Sequence, residues 1–157
     1  MKRIIVLISF AFTALVSSHL YSQSPYQQSI GVRIGSANGF SWQQFLGRSQ
    51  TATEWIGAYR RGGARLIGMV TQFIPLTRHG DAYAHAGLGG HLGMNGFLVE
   101  EDYNVPAYGV DGSIGVTYVF PYAPLAISLD FKPMVEMHNG MRFSGNNAGF
   151  SLRLLID

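Results

Sequence analysis

The chain contains no cysteine. A disulfide framework is therefore excluded, and so is the class of exported proteins anchored by a lipid on cysteine. Charge of one sign is also missing. The formal net charge is +2, but Lys2 and Arg3 belong to an N-terminal segment with the pattern of a secretory signal. Without those two, nine of the eleven basic residues remain against nine acidic ones, and of those nine only Lys132 is a lysine. Balanced, dispersed charge leaves no basic footprint, so nucleic acid is not expected as a partner. Long apolar runs are lacking as well. Beyond the first residues no stretch approaches the ~20 that a membrane helix needs. If the mature chain crosses a membrane, it must do so as a closed barrel, because lipid offers no partner for unpaired backbone groups.

The N-terminus is expected to be a signal peptide spanning residues 1-22. Met1-Lys2-Arg3 is its positive region, Ile4–Val16 its uncharged apolar core of about thirteen residues, and Ser17–Gln23 its small, polar end. Cleavage is placed after Ser22. Residues 23-157 then form one domain.

What remains is rich in Gly, Tyr and Phe, and its apolar residues alternate. The clearest segment is Leu125–Lys132. Leu125, Ile127, Leu129 and Phe131 share one parity, and Ala126, Ser128, Asp130 and Lys132 the other. This is a strand with one apolar and one polar face. Its charges sit in mid-strand. A soluble two-layer protein would turn the apolar face inward, whereas a membrane barrel turns it to lipid and keeps the polar face in the lumen.

The same period marks seven other segments: Ser29–Ser36, Phe40–Leu46, Thr51–Arg60, Ala64–Ile74, Ala82–Met94, Ala107–Phe120 and Ala148–Ile156. The Ala64–Ile74 segment alternates too weakly for its faces to be assigned. Asn38-Gly39 is read as the turn of the first hairpin, Pro75 as a strand end, and Pro121–Pro124 as a tight turn. Asn95–Pro106 and His138–Asn147 are the longest connections. An even strand count puts both termini on one side. With that side periplasmic, both long connections fall outside and the proline turn falls inside, as in bacterial single-chain barrels. The fold expected is all-β, an eight-stranded antiparallel up-and-down transmembrane β-barrel. The Gly-rich parity suits a narrow lumen filled by side chains, where large residues need small neighbours. Aromatics near strand ends, among them Phe40, Trp42, Trp55, Tyr118 and Phe120, fit interfacial girdles. A soluble lipocalin-like carrier in the periplasm is the other reading of the same alternation.

Ile30-Gly31-Val32-Arg33-Ile34-Gly35 followed by Asn38-Gly39-Phe40 resembles the first hairpin of small outer-membrane barrels common in Bacteroidota. Gly109–Phe120 and Pro124–Pro133 are similar to the sixth and seventh strands of that family, and Ala148–Leu154 to its last. The resemblance implies an eight-stranded barrel in the bacterial outer membrane, in a family whose members mostly have no assigned activity. It differs at the C-terminus, where such chains usually end on an aromatic residue and this one ends Leu155-Ile156-Asp157.

Several residue groups invite chemistry. Arg33, Glu54, Asp130, Lys132 and Arg153 fall on lumenal parities. A structural ion-pair network explains them better than a conducting path, since buried charges must be paired, and Asp130 with Arg153 is the expected pair. His85 and His91 share a face but lie ~20 Å apart at ~3.3 Å per residue, too far to bind one ion. His138 with Glu136 at a loop mouth is a weaker metal candidate. Ser128, Glu136 and His138 are the residue types of a serine hydrolase. However, ten residues of strand separate Ser128 from His138, which forbids a hydrogen bond between them. The acidic run within Val99–Asn104 is a loop tip where recognition could occur. No catalytic, cofactor-binding or metal-binding residue is therefore assigned. The expected protein is a non-enzymatic, monomeric outer-membrane barrel with a structural or surface-interaction role. Its partners would be outer-membrane lipid and, during insertion, the barrel assembly machinery. A lipid-modifying enzyme with its site at the extracellular rim is the alternative.

Overall fold

The computed structural model describes residues 24–60, 63–94, 106–137, 141–145 and 147–156. The expected signal peptide, the acidic run within Val99–Asn104 and His138 lie outside them. The described residues form ten strands and no helix: β1 Gln28–Gly35, β2 Asn38–Phe45, β3 Thr51–Arg60, β4 Gly63–Pro75, β5 Ala82–Met94, β6 Pro106–Val119, β7 Leu125–Phe131, β8 Met134–Met137, β9 Met141–Ser144 and β10 Ala148–Ile156.

Each strand pairs antiparallel with its sequence neighbour up to β7. β10 pairs with both β7 and β1, and β5 with both β4 and β6, so the sheet closes. Closure removes the open edges that an eight-stranded sheet would otherwise present. β7 and β8 are one wall interrupted at Lys132-Pro133, and both pair with β6. Proline cannot donate there, but its carbonyl accepts from the Gly112 amide at 2.8 Å, so the wall continues across the break. β9 and β10 form the eighth wall. Three steps from Phe131 to Met134 oppose four from Ser144 to Ala148, a bulge of one residue that bends this wall.

Three sequence expectations need correction. Asn38-Gly39 is not the first turn. Ser36 and Ala37 make it, while Asn38 opens β2 and its side-chain oxygen accepts from the Gly35 amide at 3.2 Å. An Asn-Gly pair opposite Tyr59 and Ala58 is held by ladder pairing instead. Part of the expected 138–147 loop is strand, because Met141–Ser144 pairs with β8. The seventh strand stops at Phe131, before the Lys132-Pro133 break, rather than at Lys132.

The distribution of side chains is the reverse of a water-soluble core. Ile30, Val32 and Ile34 on β1, Leu66 and Val70 on β4, Leu88 and Leu92 on β5, and Leu152 and Leu154 on β10 all face outward and are exposed. Leu129 is 60% exposed and its neighbour Asp130 only 3%. Leu129 pairs with Val116 and Phe150, and Phe150 with Ile34, so these outward residues form a continuous apolar band. β4, unreadable by alternation, turns Arg65, Ile67, Met69, Thr71 and Phe73 inward. Its inward face mixes apolar and polar residues, which hid the period.

The lumen is filled. At the end where β1 begins and β10 finishes, Tyr26, Phe45, Phe73 and Tyr83 stack across the opening with Ala52 beneath. Tyr26 meets Phe45 edge-on, with ring centroids 4.9 Å apart. Ile56, Ile67 and Met69 make an apolar pad higher up. Inward glycines receive the long side chains of neighbouring walls. A Cβ on Gly149 would collide with the Arg33 guanidinium, and one on Gly109 would sit 2.6 Å from the His91 ring.

This close approach predicts an asymmetry. Gly149→Val should displace Arg33 and destabilise the folded barrel by ~1–3 kcal/mol, the usual cost of overpacking. Gly57→Ala should be tolerated, because a Cβ at the outward-facing Gly57 meets nothing within 4 Å. Comparing the heat-modified mobility of the two variants after refolding checks it.

Candidate functional site

Alternation sends every second side chain of eight walls into one narrow space, and most of those side chains are polar. Four cations (Arg33, Arg65, Lys132 and Arg153) and four carboxylates (Glu54, Asp111, Asp130 and Glu136) are buried there. Burying one ion alone is prohibitive, so the group is stable only as a balanced set with hydrogen-bonded partners.

The centre of the set lies where β1, β3, β7 and β10 face one another. Arg33 donates from one Nη to both oxygens of Asp130, at 2.5 and 2.6 Å. Glu54 accepts from two cations, Lys132 Nζ at 3.1 Å and an Nη of Arg153. Lys132 also donates to the Ser113 hydroxyl at 3.1 Å and lies 3.8 Å from Asp130, bridging the two carboxylates. Arg153 donates its second Nη to Ser41 at 2.9 Å. All five residues expected in the lumen are therefore there, and they form one network.

The expected Asp130–Arg153 pair is not formed. Asp130 stands opposite Gly149, and Arg153 stands opposite Ala126, so the two sit at different levels of adjacent walls. Asp130 instead reaches across to Arg33, over Gly149. Alternation specifies the face of a residue but not its partner across a lumen.

Toward the far end a second group forms. Arg65 donates to Glu136 at 3.1 Å, and His91 Nδ1 lies 2.7 Å from Asp111. Sequence reasoning missed both pairs. Arg65 lies on the strand of unassigned faces, but the inward parities of Asp111 and Glu136 could have pointed to them. His85 and His91 do not share a ligand. His85 Nδ1 bonds the Thr117 hydroxyl at 3.2 Å, and Thr117 bonds Ser128 at 2.9 Å. This His85–Thr117–Ser128 chain gives Ser128 no direct base. Among the described residues no carboxylate orients His85 through a hydrogen bond, so the arrangement is not that of an activated nucleophile. No group of three or more metal-ligating side chains is gathered among the described residues.

Outside, the large apolar side chains leave shallow grooves. One of about 650 Å³ is lined by Ile30, Val32, Phe40, Trp42, Trp55 and Leu152, among others. At the near end, before β1, Tyr26 donates to the Gln43 side-chain oxygen at 2.5 Å. Burial pushes its phenol up to about 12. Compared with known protein families, with characterised proteins and with solved structures, the chain matches none.

Two tests follow from the geometry. Glu54→Gln strips the anion from two buried cations and should cost ~3–5 kcal/mol. Replacing Arg33 and Asp130 together by Met and Leu should cost less than replacing either alone, because the pair leaves no orphan. Urea unfolding of the four variants in detergent measures both. Tyr26 supplies a pH test. Its folded pKa lies above the unfolded value near 10, so its contribution is complete below pH ~10 and is lost as the pH rises through about 12. Phenolate absorbance should show a late step near pH 12 after the exposed tyrosines ionise, and Tyr26→Phe should remove it.

Proposed function

We propose that the protein is an integral barrel of the bacterial outer membrane whose lumen is closed, with a structural or surface-interaction role and no catalysis. The observation that carries this reading is the inverted side-chain distribution: a continuous apolar band outside and a charge-balanced polar interior. In water, exposing Ile34, Phe40, Leu88, Leu92, Ile114, Leu129 and Phe150 together would make a patch far beyond what a soluble monomer tolerates. In lipid the same band is the solvent-matched surface. A soluble carrier would need an apolar cavity for its cargo, whereas this interior holds salt bridges and an aromatic floor. Arg33, Lys132 and Arg153 lock the centre through carboxylates, which supports a plugged barrel over a pore.

The orientation proposed has the chain termini and the Pro121–Pro124 turn in the periplasm, with β8 and β9 at the cell surface. Lipid surrounds the band, and the assembly machinery that inserts outer-membrane barrels is the implied partner during biogenesis. The chain is proposed to act as a monomer, since closure leaves the barrel wall itself without an edge.

Leu129→Arg separates lipid from water directly. On a lipid face the substitution should cost ~2–4 kcal/mol and lower the inserted fraction. On a soluble barrel it would be harmless at so exposed a position. Tyr122→Arg, in the fully exposed near-end turn, should leave insertion unchanged. Carbonate-washed membranes from cells expressing each variant supply the measurement, and equal recovery of Leu129→Arg in them would overturn the membrane reading.

Orientation has its own test, helped by the absence of cysteine. Met141→Cys, at a position 79% exposed, should react with an impermeant maleimide on whole cells. Tyr122→Cys should react only after the outer membrane is opened.

A further inference from the structure

The barrel wall has no edge, but the structure above it does. β9 pairs with β8 on one side, and among the described residues it has no strand on the other. The stagger of the barrel explains this. Paired positions lead from Val32 through Phe40, Gly57, Leu66, Leu92 and Tyr108, climbing to the level of Met137 and Met141. β1 stops far below, at Gly35, in the short turn to β2. The β8–β9 hairpin therefore stands above a notch in the rim, with one row of backbone groups facing it. Such an edge is a template for another strand.

The side chains of β9 give the template a chemistry. Phe143 and Met141 pair with Val135 and Met137 on the outward face and are 72% and 79% exposed. Arg142 is exposed on the opposite face. Its cross-strand neighbour Glu136 is already engaged by Arg65, and Arg142 makes no salt bridge among the described residues. In contrast to the paired lumen, this guanidinium and the edge beside it are unpartnered among the described residues.

We infer that β9 is a docking edge for an extended peptide segment that alternates apolar and acidic residues. The added strand would hydrogen-bond to the free row of β9, lay its apolar side chains beside Met141 and Phe143, and bring a carboxylate to Arg142. A second copy of the chain is a poorer occupant. Pairing β9 with itself would gather two Arg142 cations at one rim and supply no anion. The inference rests on the proposed orientation only for the partner's location at the cell surface. The edge itself is a property of the fold.

The test uses the full mature barrel in detergent and a fluorescein-labelled Val-Glu-Val-Glu-Val peptide. Fluorescence anisotropy should show saturable binding, at least about tenfold tighter than for the peptide with Lys in place of Glu. N-methylation of the alternate amides should abolish binding, because it removes the ladder donors while keeping charge and apolar character. Arg142→Gln, which places no second anion opposite Glu136, should remove the preference for the acidic peptide. Equal binding of the acidic and basic peptides, or retained binding of the N-methylated peptide, would overturn the inference, as would no saturable binding at all. A sedimenting dimer that Phe143→Pro dissociates would assign the edge to a second copy and overturn it too. None of these outcomes depends on Leu129 or on membrane insertion, so failure here is distinct from failure of the membrane reading.

Discussion

A closed ring of strands forces half of its side chains into a space that water cannot freely enter, and here that half carries ions. The balance of Arg33, Arg65, Lys132 and Arg153 against Glu54, Asp111, Asp130 and Glu136 is the constraint on which the rest of the molecule depends. Each carboxylate holds a cation or a histidine from another wall. The network therefore ties β1 to β7, β3 to β10 and to Lys132 just past β7, and β4 to β8, across the barrel rather than along its hydrogen-bond ladders. A purely apolar lumen would fill the volume but would not distinguish these pairings from neighbouring ones.

The glycines are the other half of that arrangement. An arginine leaning into a narrow lumen needs the neighbouring wall to withdraw, and Gly149 does so beneath Arg33 as Gly31 does beside Arg153. His91 lies similarly against Gly109, and His85 against Gly115. The aromatic floor closes the near end by a different means, with Tyr26 folding in ahead of β1 to stack on Phe45. Charge pairing in the middle and ring packing at the end thus divide the lumen into layers. The outer surface is left free to be mostly apolar.

The far end follows other rules. There the walls have unequal heights, because β1 and β2 join by a two-residue turn while β8 and β9 extend beyond them. The interruption at Lys132-Pro133 and the bulge before Ala148 let the last two walls bend at the same level. Lys132 remains on the lumenal parity through the break, and its amide is held by the Asn147 carbonyl at 2.9 Å. One proline and one extra residue thus separate the sealed barrel from an exposed hairpin whose outer edge is unpaired among the described residues.

Much of the architecture was legible in the alternation of residue types. Leu129 outward beside Asp130 inward, the eight walls, and the lumenal positions of Arg33, Glu54, Lys132 and Arg153 follow from a period of two, since a strand has only two faces. The limits of Thr51–Arg60, Ala82–Met94 and Ala148–Ile156 follow from the same period, with turn residues at their ends. Tertiary structure decided what local pattern does not encode. The partner of Asp130 is Arg33 because stagger and curvature set which levels of β1 and β7, the two walls flanking β10, meet. The first turn lies at Ser36-Ala37 because ladder pairing with β3 outweighs the local preference of Asn-Gly. β9 is a strand because Val135 and Met137 on β8 give Phe143 and Met141 a surface to pair against, and that pairing joins segments on either side of a connection, where sequence period carries no signal.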